Sequence, residues 1–162
     1  MKSRTITASL LTAMLFASCA AGRYEKSERG ITVNIAAETE NSVRKVRLQV
    51  IDDKIIRVSA TPDKKFSSDT SLVVIPPRAN VEYTIAETDS TVSLSTSQLT
   101  ATVSFSTGDV KFYNKDGRLI VAEADGGREF SPIEVEGTKG YTVRQVSESL
   151  DKEEGIYGLG QD

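Results

Sequence analysis

The sequence contains no histidine, no tryptophan and a single cysteine among its 162 residues. The absence of histidine excludes a Ser-His-Asp or Cys-His catalytic unit and the usual histidine-containing zinc sites. One cysteine can form neither an internal disulfide nor a cysteine-cluster metal site. Hydrophobic residues make up 38% of the chain, and its length is sufficient for one domain with a core. We therefore predict no metal site and no cofactor.

The first eighteen residues have the features of an export signal. Lys2 and Arg4 precede an apolar run over residues 6–17, which is too short to span a bilayer. Small residues end this run directly before Cys19, an arrangement that resembles the lipobox of bacterial lipoproteins. The resemblance implies that Cys19 is acylated and anchors the protein in the bacterial cell envelope, at the outer membrane or on a periplasmic face. The alternative is an ordinary secretory signal that has a cysteine near the cut by chance.

The charge of the chain does not indicate a nucleic-acid partner. The formal net charge is −3, and loss of Lys2 and Arg4 with residues 1–18 would make it −5. Lysine and arginine are scattered, without the interleaved aromatic residues that binding to single strands requires. A mildly acidic surface of this kind predicts no binding to nucleic acid.

Alternation of apolar and polar residues predicts strands from residue 31 onward. The clearest stretch places Leu99, Ala101, Val103 and Phe105 between threonines and serines, which is typical of a strand with one buried face. Shorter stretches of the same kind occur over 31–37, 46–50, 56–60, 83–85 and 92–94. Residues 19–30 are mostly small and polar, and we predict that they form a tether.

Turn residues separate the predicted strands. Asp116-Gly117, between two apolar runs, is the strongest hairpin signal. Further turns are predicted at Asp52-Asp53, Asp89-Ser90, Gly108-Asp109 and Gly126-Gly127. The two prolines within residues 74–80 predict a stiff connector, since neither can donate a ladder hydrogen bond. Many short strands with frequent turns predict an all-β fold, an antiparallel sandwich or barrel.

Carboxylates are the only candidate catalytic groups in quantity. Three pairs could in principle serve as acid and base: Asp52/Asp53, Glu134/Glu136 and Glu153/Glu154. The first pair lies in a predicted turn, the second on one solvated strand face and the third in a polar linker. None has the apolar pocket that a catalytic acid requires, and we predict that the chain holds no catalytic residue.

The last residues of the sequence carry a more specific pattern. They follow the form Y-x-V-x-Q and then, after a short acidic segment, E-x-x-Y-G-L-G-(E/Q). The matching residues are Tyr141, Val143, Gln145, Glu154, Tyr157, Gly158, Leu159, Gly160 and Gln161. This pattern resembles the domain junction of glycoside hydrolase family 31, which contains α-glucosidases and α-xylosidases. Residues 46–62 and 112–120 are similar to early strands and a hairpin of the same family.

The resemblance implies an antiparallel β-sandwich of the galactose-mutarotase-like type over residues 31–150. In this family the sandwich packs on a (β/α)₈ barrel, which holds two catalytic aspartates and acts by a retaining mechanism. The family's nucleophile motif, W-x-D-M-N-E, has no counterpart in this sequence. Residues 151–162 would then begin the linker into the barrel, with Tyr157 and Leu159 wedged between the two domains. The implied partners are a carbohydrate and the barrel, and we expect the chain alone to be inactive.

Two other interpretations remain open. A free-standing envelope lipoprotein that binds glycans would present aromatic side chains to stack on sugar rings. The sequence has five tyrosines, and Tyr83 and Tyr141 lie at strand positions that we predict to face the core. A structural envelope lipoprotein without a ligand fits every feature except the ending IYGLGQ.

Overall fold

The computed structural model describes residues 22–36, 38–39, 41–68 and 81–148. The predicted signal over 1–18, Cys19, the connector over 74–80 and the junction residues Tyr157, Gly158, Leu159, Gly160 and Gln161 lie outside these ranges. The described residues form ten strands: β1 Tyr24–Ser27, β2 Gly30–Asn34, β3 Lys45–Asp52, β4 Ile55–Thr61, β5 Thr84–Glu87, β6 Thr91–Ser95, β7 Leu99–Ser104, β8 Val110–Asn114, β9 Leu119–Val135 and β10 Thr138–Ser147.

The strands form two antiparallel sheets. One has the order β1-β2-β3-β4, and the other has the order β10-β9-β8-β7-β6-β5. The buried residues alternate along the strands, as in β3, where Val46, Leu48 and Val50 are buried. The inner faces of both sheets contribute to one hydrophobic core, in which Leu48 and Leu94 are fully buried. Full burial of a leucine side chain stabilises the fold by about 1.5–3 kcal/mol. The predicted all-β sandwich is confirmed.

Four of the five predicted turns connect strands. The turn at Asp116-Gly117 joins β8 to β9, and Asn114 stabilises it because its side-chain oxygen accepts hydrogen bonds from the amides of Asp116 and Arg118, at 3.0 and 2.8 Å. Gly117 has a φ of 78°, which a residue with a side chain rarely adopts. The turns at Asp52-Asp53, Asp89-Ser90 and Gly108-Asp109 are likewise placed between strands.

The turn predicted at Gly126-Gly127 is wrong. Both glycines lie inside β9, where the ladder with β10 shifts register: Glu123 pairs with Ser147, whereas Arg128 pairs with Gln145. Residues 124–127 therefore bulge out of the ladder opposite residue 146. Gly126 has a φ of 65°, and a Cβ on Gly127 would lie 2.8 Å from the backbone oxygen of Ala124. Glycine is favoured in β-bulges as well as in turns, so the Gly-Gly pair alone does not distinguish the two structures.

The tether predicted over 19–30 also differs from the structure, because Tyr24–Ser27 form strand β1 and Gly30 begins β2. Strand β1 pairs with β2 through its backbone, and its side chains from Glu25 to Ser27 are exposed. The pairing therefore needs no apolar alternation, which is the signal that the sequence lacks here.

The two sides of the sandwich differ. On the side where the edge strands are β1 and β5, Arg23 connects the sheets: its Nη2 donates to Glu87 Oε1 at 2.7 Å and its Nη1 to the backbone oxygen of Asp89 at 2.5 Å. Its guanidinium also lies 4.0 Å from the centre of the Phe105 ring. We call this the closed side. The edge strands on the opposite side, which we call the open side, are β4 and β10.

Candidate functional site

An ion pair is buried beside the bulge of β9. The carboxylate of Glu123 contacts the guanidinium of Arg128, and their side chains are 7% and 5% exposed. Glu123 Oε1 also accepts a hydrogen bond from Gln145 Nε2 at 2.7 Å, and its Oε2 accepts one from the amide of Val110 at 3.0 Å. Glu123, Arg128 and Gln145, which we call the ionic cluster, therefore connect β8, β9 and β10.

A second buried carboxylate, that of Asp109, binds the backbone of the bulge. Asp109 is 3% exposed and is the last residue of the β7–β8 turn. Its Oδ2 accepts a hydrogen bond from the amide of Gly126 at 3.0 Å. Arg128 Nη1 donates to the backbone oxygen of Gly108, at 3.4 Å. The bulge is thus fixed to the β7–β8 turn by contacts from Gly126 within it and from Arg128 directly after it.

The ionic cluster forms part of the wall of a groove on the open side. This groove, of about 270 Å³, lies between the sheets and is lined by all three cluster residues. Val58 and Ala60 of β4 and Val143 of β10 supply apolar walls. The polar groups of the cluster are already engaged with one another, so the groove presents mainly apolar surface. We call it the open-side groove.

Beyond the bulge, residues 128–145 form a two-stranded ribbon. In its register, Val143 lies opposite Phe130 and Tyr141 opposite Pro132, so these four side chains share one face. Phe130 is 5% exposed and makes an edge-to-face contact with Tyr141, with ring centres 5.9 Å apart. The hydroxyl of Tyr141 donates to Asp63 Oδ1 at 2.9 Å, and this bond connects the ribbon to the residues after β4.

The prediction that Tyr141 belongs to the core is wrong. Tyr141 is 40% exposed, because the ribbon extends past the strands that could cover it, and Val143 beside it is 51% exposed. Tyr83 is partly buried against the core, and its hydroxyl donates to the backbone oxygen of Ser27 at 3.2 Å.

The residues Tyr141, Val143 and Gln145, which carried the Y-x-V-x-Q pattern, share one face of β10. Val143 and Gln145 line the open-side groove, and Tyr141 lines a second cavity, which Asp63 also lines. Glu123 and Arg128 were not among the residues that the sequence pattern indicated. Their signal was present as two opposite charges on either side of a Gly-Gly pair.

Two of the three predicted carboxylate pairs lie within the described residues, and of Glu134 and Glu136 only Glu134 lines the cavity beside Tyr141. Asp52 and Asp53 lie at the β3–β4 turn, where Asp52 Oδ1 accepts the amide of Asp53 at 2.6 Å. Glu134 and Glu136 are exposed at the end of the ribbon, and Glu136 has a φ of 50°. Glu153 and Glu154 lie outside the described residues.

Within residues 22–36, 38–39, 41–68 and 81–148, no three side chains of His, Cys, Asp or Glu are grouped so that they could hold a metal ion. No helix in the same ranges is long and apolar enough to cross a membrane.

The geometry defines the class of this protein as an antiparallel β-sandwich domain that is closed on one side and open on the other. Residues 45–162 match the glycosyl hydrolase 31 N-terminal galactose mutarotase-like domain. The chain belongs to this family.

Known proteins of the same kind are much longer than this chain. A glycoside hydrolase family 31 α-xylosidase from Xanthomonas citri is 39% identical, with a TM-score of 0.71 over 78% of this chain and 13% of that protein. Alpha-glucosidase 2 from Bacillus thermoamyloliquefaciens is 28% identical over 86 residues, which are 53% of this chain and 11% of the relative. A family 31 α-xylosidase from a soil metagenome, solved with xylose, shares the fold at 16% identity and a TM-score of 0.54, over 69% of this chain and 19% of that one.

We predict that Glu123→Ala lowers the free energy of unfolding by about 3–5 kcal/mol, because it leaves the buried guanidinium of Arg128 without its counter-charge. The matched control is Glu87→Ala, which removes a carboxylate from the ion pair with Arg23, where the side chains are 44% and 38% exposed. An exposed pair of this kind contributes at most about 1 kcal/mol. Urea unfolding of the two purified variants measures both values, and equal losses would show that the ionic cluster does not hold the sheet.

Proposed function

We propose that this chain acts as the N-terminal, non-catalytic domain of a retaining α-glycosidase of the α-glucosidase or α-xylosidase type. In this proposal the sandwich packs on a catalytic (β/α)₈ barrel and helps to shape its sugar-binding site. Family membership and the 39% identity to an α-xylosidase support this assignment. The substrate of the whole protein is then a carbohydrate with an α-glycosidic bond.

The exposed apolar surface of the open side is the observation that carries the proposal. Tyr141, Val143 and Val121 are each at least 40% exposed, although Val143 shares its face with the buried Phe130. Strand β10 is an edge strand among the described residues. A long apolar edge promotes aggregation unless another segment or domain covers it. A second domain packed on the open side would cover these side chains.

The proposal places catalysis outside the described residues. A retaining glycosidase needs two carboxyl groups about 5–5.5 Å apart on either side of the scissile bond. The buried carboxylates of the described residues, Glu123 and Asp109, both accept backbone hydrogen bonds that hold strands together. These two carboxylates stabilise the sandwich. In the proposal the catalytic acid and the nucleophile therefore come from the barrel.

A free-standing glycan-binding lipoprotein is the second candidate function. The one specific observation in its favour is the exposure of Tyr141. The half-exposed ring of Tyr141 lines an open cavity and could stack on a sugar. The ring is, however, fixed by its edge-to-face contact with Phe130 and by the hydrogen bond from its hydroxyl to Asp63. The hydrogen bond connects the ribbon to the residues after β4, and the two contacts therefore favour a structural role for Tyr141.

Turnover and sugar binding by the isolated chain together test the two candidates. We expect purified residues 19–162 to release no p-nitrophenol from α-glucosides or α-xylosides, since the proposal places the catalytic carboxylates in another domain. Calorimetry with α-glucan and xyloglucan oligosaccharides should likewise show no binding. Measurable turnover would contradict the proposal, whereas sugar binding that Tyr141→Ala abolishes would favour the free-standing glycan binder.

We further propose that Cys19 carries the lipid anchor and that the protein resides in the bacterial cell envelope. The support is the sequence alone: a positive start, a short apolar run and small residues before the single cysteine. Two or three acyl chains would bind the membrane firmly, at about 0.8 kcal/mol per buried CH₂.

Metabolic labelling with palmitate tests the anchor. We expect the wild-type chain to incorporate label and Cys19→Ala to lose it, because the thiol is the site of attachment. The control Ser18→Gly keeps a small residue before the cysteine and should keep the label. Persistent labelling of Cys19→Ala would show that the cysteine is not the site.

A further inference from the structure

Arg23 binds one corner of the sandwich. The guanidinium reaches the β5–β6 turn, where it binds Glu87 and the backbone oxygens of Thr88 and Asp89, at 3.1 and 2.5 Å for the two oxygens. The backbone oxygen of Arg23 also accepts the amide of Asn34 at 2.8 Å. Arg23 therefore lies on the closed side, at the end of the strands that carries the β5–β6 turn.

Other turns lie at the opposite end of the strands. The β3–β4 turn is there, because the hydroxyl of Thr96, after β6, donates to the backbone oxygen of Asp53 at 2.5 Å. The β8–β9 turn at Asp116-Gly117 lies at the same end, since β8 runs antiparallel to β7. The β8–β9 turn is separated from the β5–β6 turn by the length of a five-residue strand along the strands, and by three strand spacings across the sheet. With about 3.3 Å per residue and about 4.8 Å per spacing, the two turns lie about 20 Å apart.

The segment between Cys19 and Arg23 is too short to let this corner move far from an anchored cysteine. Four peptide units join the two Cα atoms, and an extended chain covers at most about 3.6 Å per residue. The distance from Cys19 to Arg23 is therefore at most about 14 Å. This limit follows from covalent geometry and holds for any conformation of the segment.

We propose that the β5–β6 turn and Arg23 form the membrane-proximal corner of the anchored protein, and that the β8–β9 turn and the open side point away from the bilayer. This inference rests on the lipid anchor at Cys19 proposed above. Arg23, which is joined to the anchored cysteine by four peptide units, lies on the closed side. The surface assigned to the catalytic domain therefore lies on the side opposite the membrane attachment. The arrangement allows an anchored domain to carry a large partner without the bilayer blocking the contact.

The covalent tether, and not charge, accounts for this proximity. The corner exposes the carboxylates of Glu87 and Asp89, and its cation Arg23 is engaged with Glu87. Anionic lipids attract clusters of basic residues, which the corner does not present. We therefore expect the non-acylated chain, produced as Cys19→Ala without residues 1–18, not to bind vesicles of phosphatidylethanolamine and phosphatidylglycerol.

Site-specific quenching tests the orientation. Cys19 is the only cysteine and acylation occupies its thiol, so one added cysteine can be labelled selectively. A fluorophore is placed at Ser90→Cys, in the proximal turn, or at Asp116→Cys, in the distal turn; both positions are exposed. The acylated variants are reconstituted into the same vesicles with nitroxide on the lipid headgroups. We expect quenching at residue 90 to exceed that at residue 116 by at least about twofold, given the tether and the separation of the turns.

A longer tether provides the matched control. Insertion of about 20 glycine and serine residues between Ala21 and Gly22 adds a flexible segment with a typical span of about 22–27 Å, and the difference between the two labels should disappear. Equal quenching without the insertion, or stronger quenching at residue 116, would overturn the orientation even if the protein is acylated. Absence of palmitate on Cys19 would overturn the anchor and the orientation together, while leaving the assignment as a glycosidase domain untouched.

Discussion

Glu123 and Arg128 lie on the same strand, and their charges meet because residues 124–127 bulge out of the ladder between them. Each side chain is almost fully buried, and a buried charge without its partner destabilises a fold by several kcal/mol. The bulge and the ion pair therefore require each other. Gln145 and the amide of Val110 complete the coordination of the Glu123 carboxylate, so the same contact sets how β8, β9 and β10 lie together.

The asymmetry of the sandwich follows from this arrangement. Past the bulge, β9 and β10 leave the sheet as a ribbon that buries Phe130 but leaves Tyr141 and Val143 half-exposed. On the other side, Arg23 connects the sheets through Glu87 and stacks on Phe105. The contacts of Arg23 thus connect the two sheets on the closed side, whereas the open side presents exposed apolar surface. This division fits a domain that is anchored through one side and covered by a neighbouring domain on the other.

The sequence predicted strands where burial on one face imposed alternation, as in β7, and it predicted the hairpin at Gly117, where the turn requires positive φ. It missed the β9–β10 turn at Glu136-Gly137, where φ is also positive, at 50° and 80°. It failed where the cause was not local. Strand β1 pairs through its backbone without apolar side chains, and Gly126-Gly127 form a bulge because Asp109, 17 residues earlier, binds the amide of Gly126. The ionic cluster could not be predicted, since Gln145 reaches Glu123 only across the folded ladder. The exposure of Tyr141 likewise depends on how far the ribbon extends beyond its neighbours.

Amide hydrogen exchange along β10 tests the central claim, that the open side of this domain is covered by the rest of an α-glycosidase. The exchange rates would be measured in the isolated chain and in a longer protein that includes the barrel. In an antiparallel edge strand, alternate amides point away from the neighbouring strand. We predict that these amides of Thr138–Ser147 exchange at least about tenfold more slowly in the longer protein, because the covering domain shields them from water, while the amides of β6 in the core are unchanged. Equal rates along β10 in the two proteins would contradict the account.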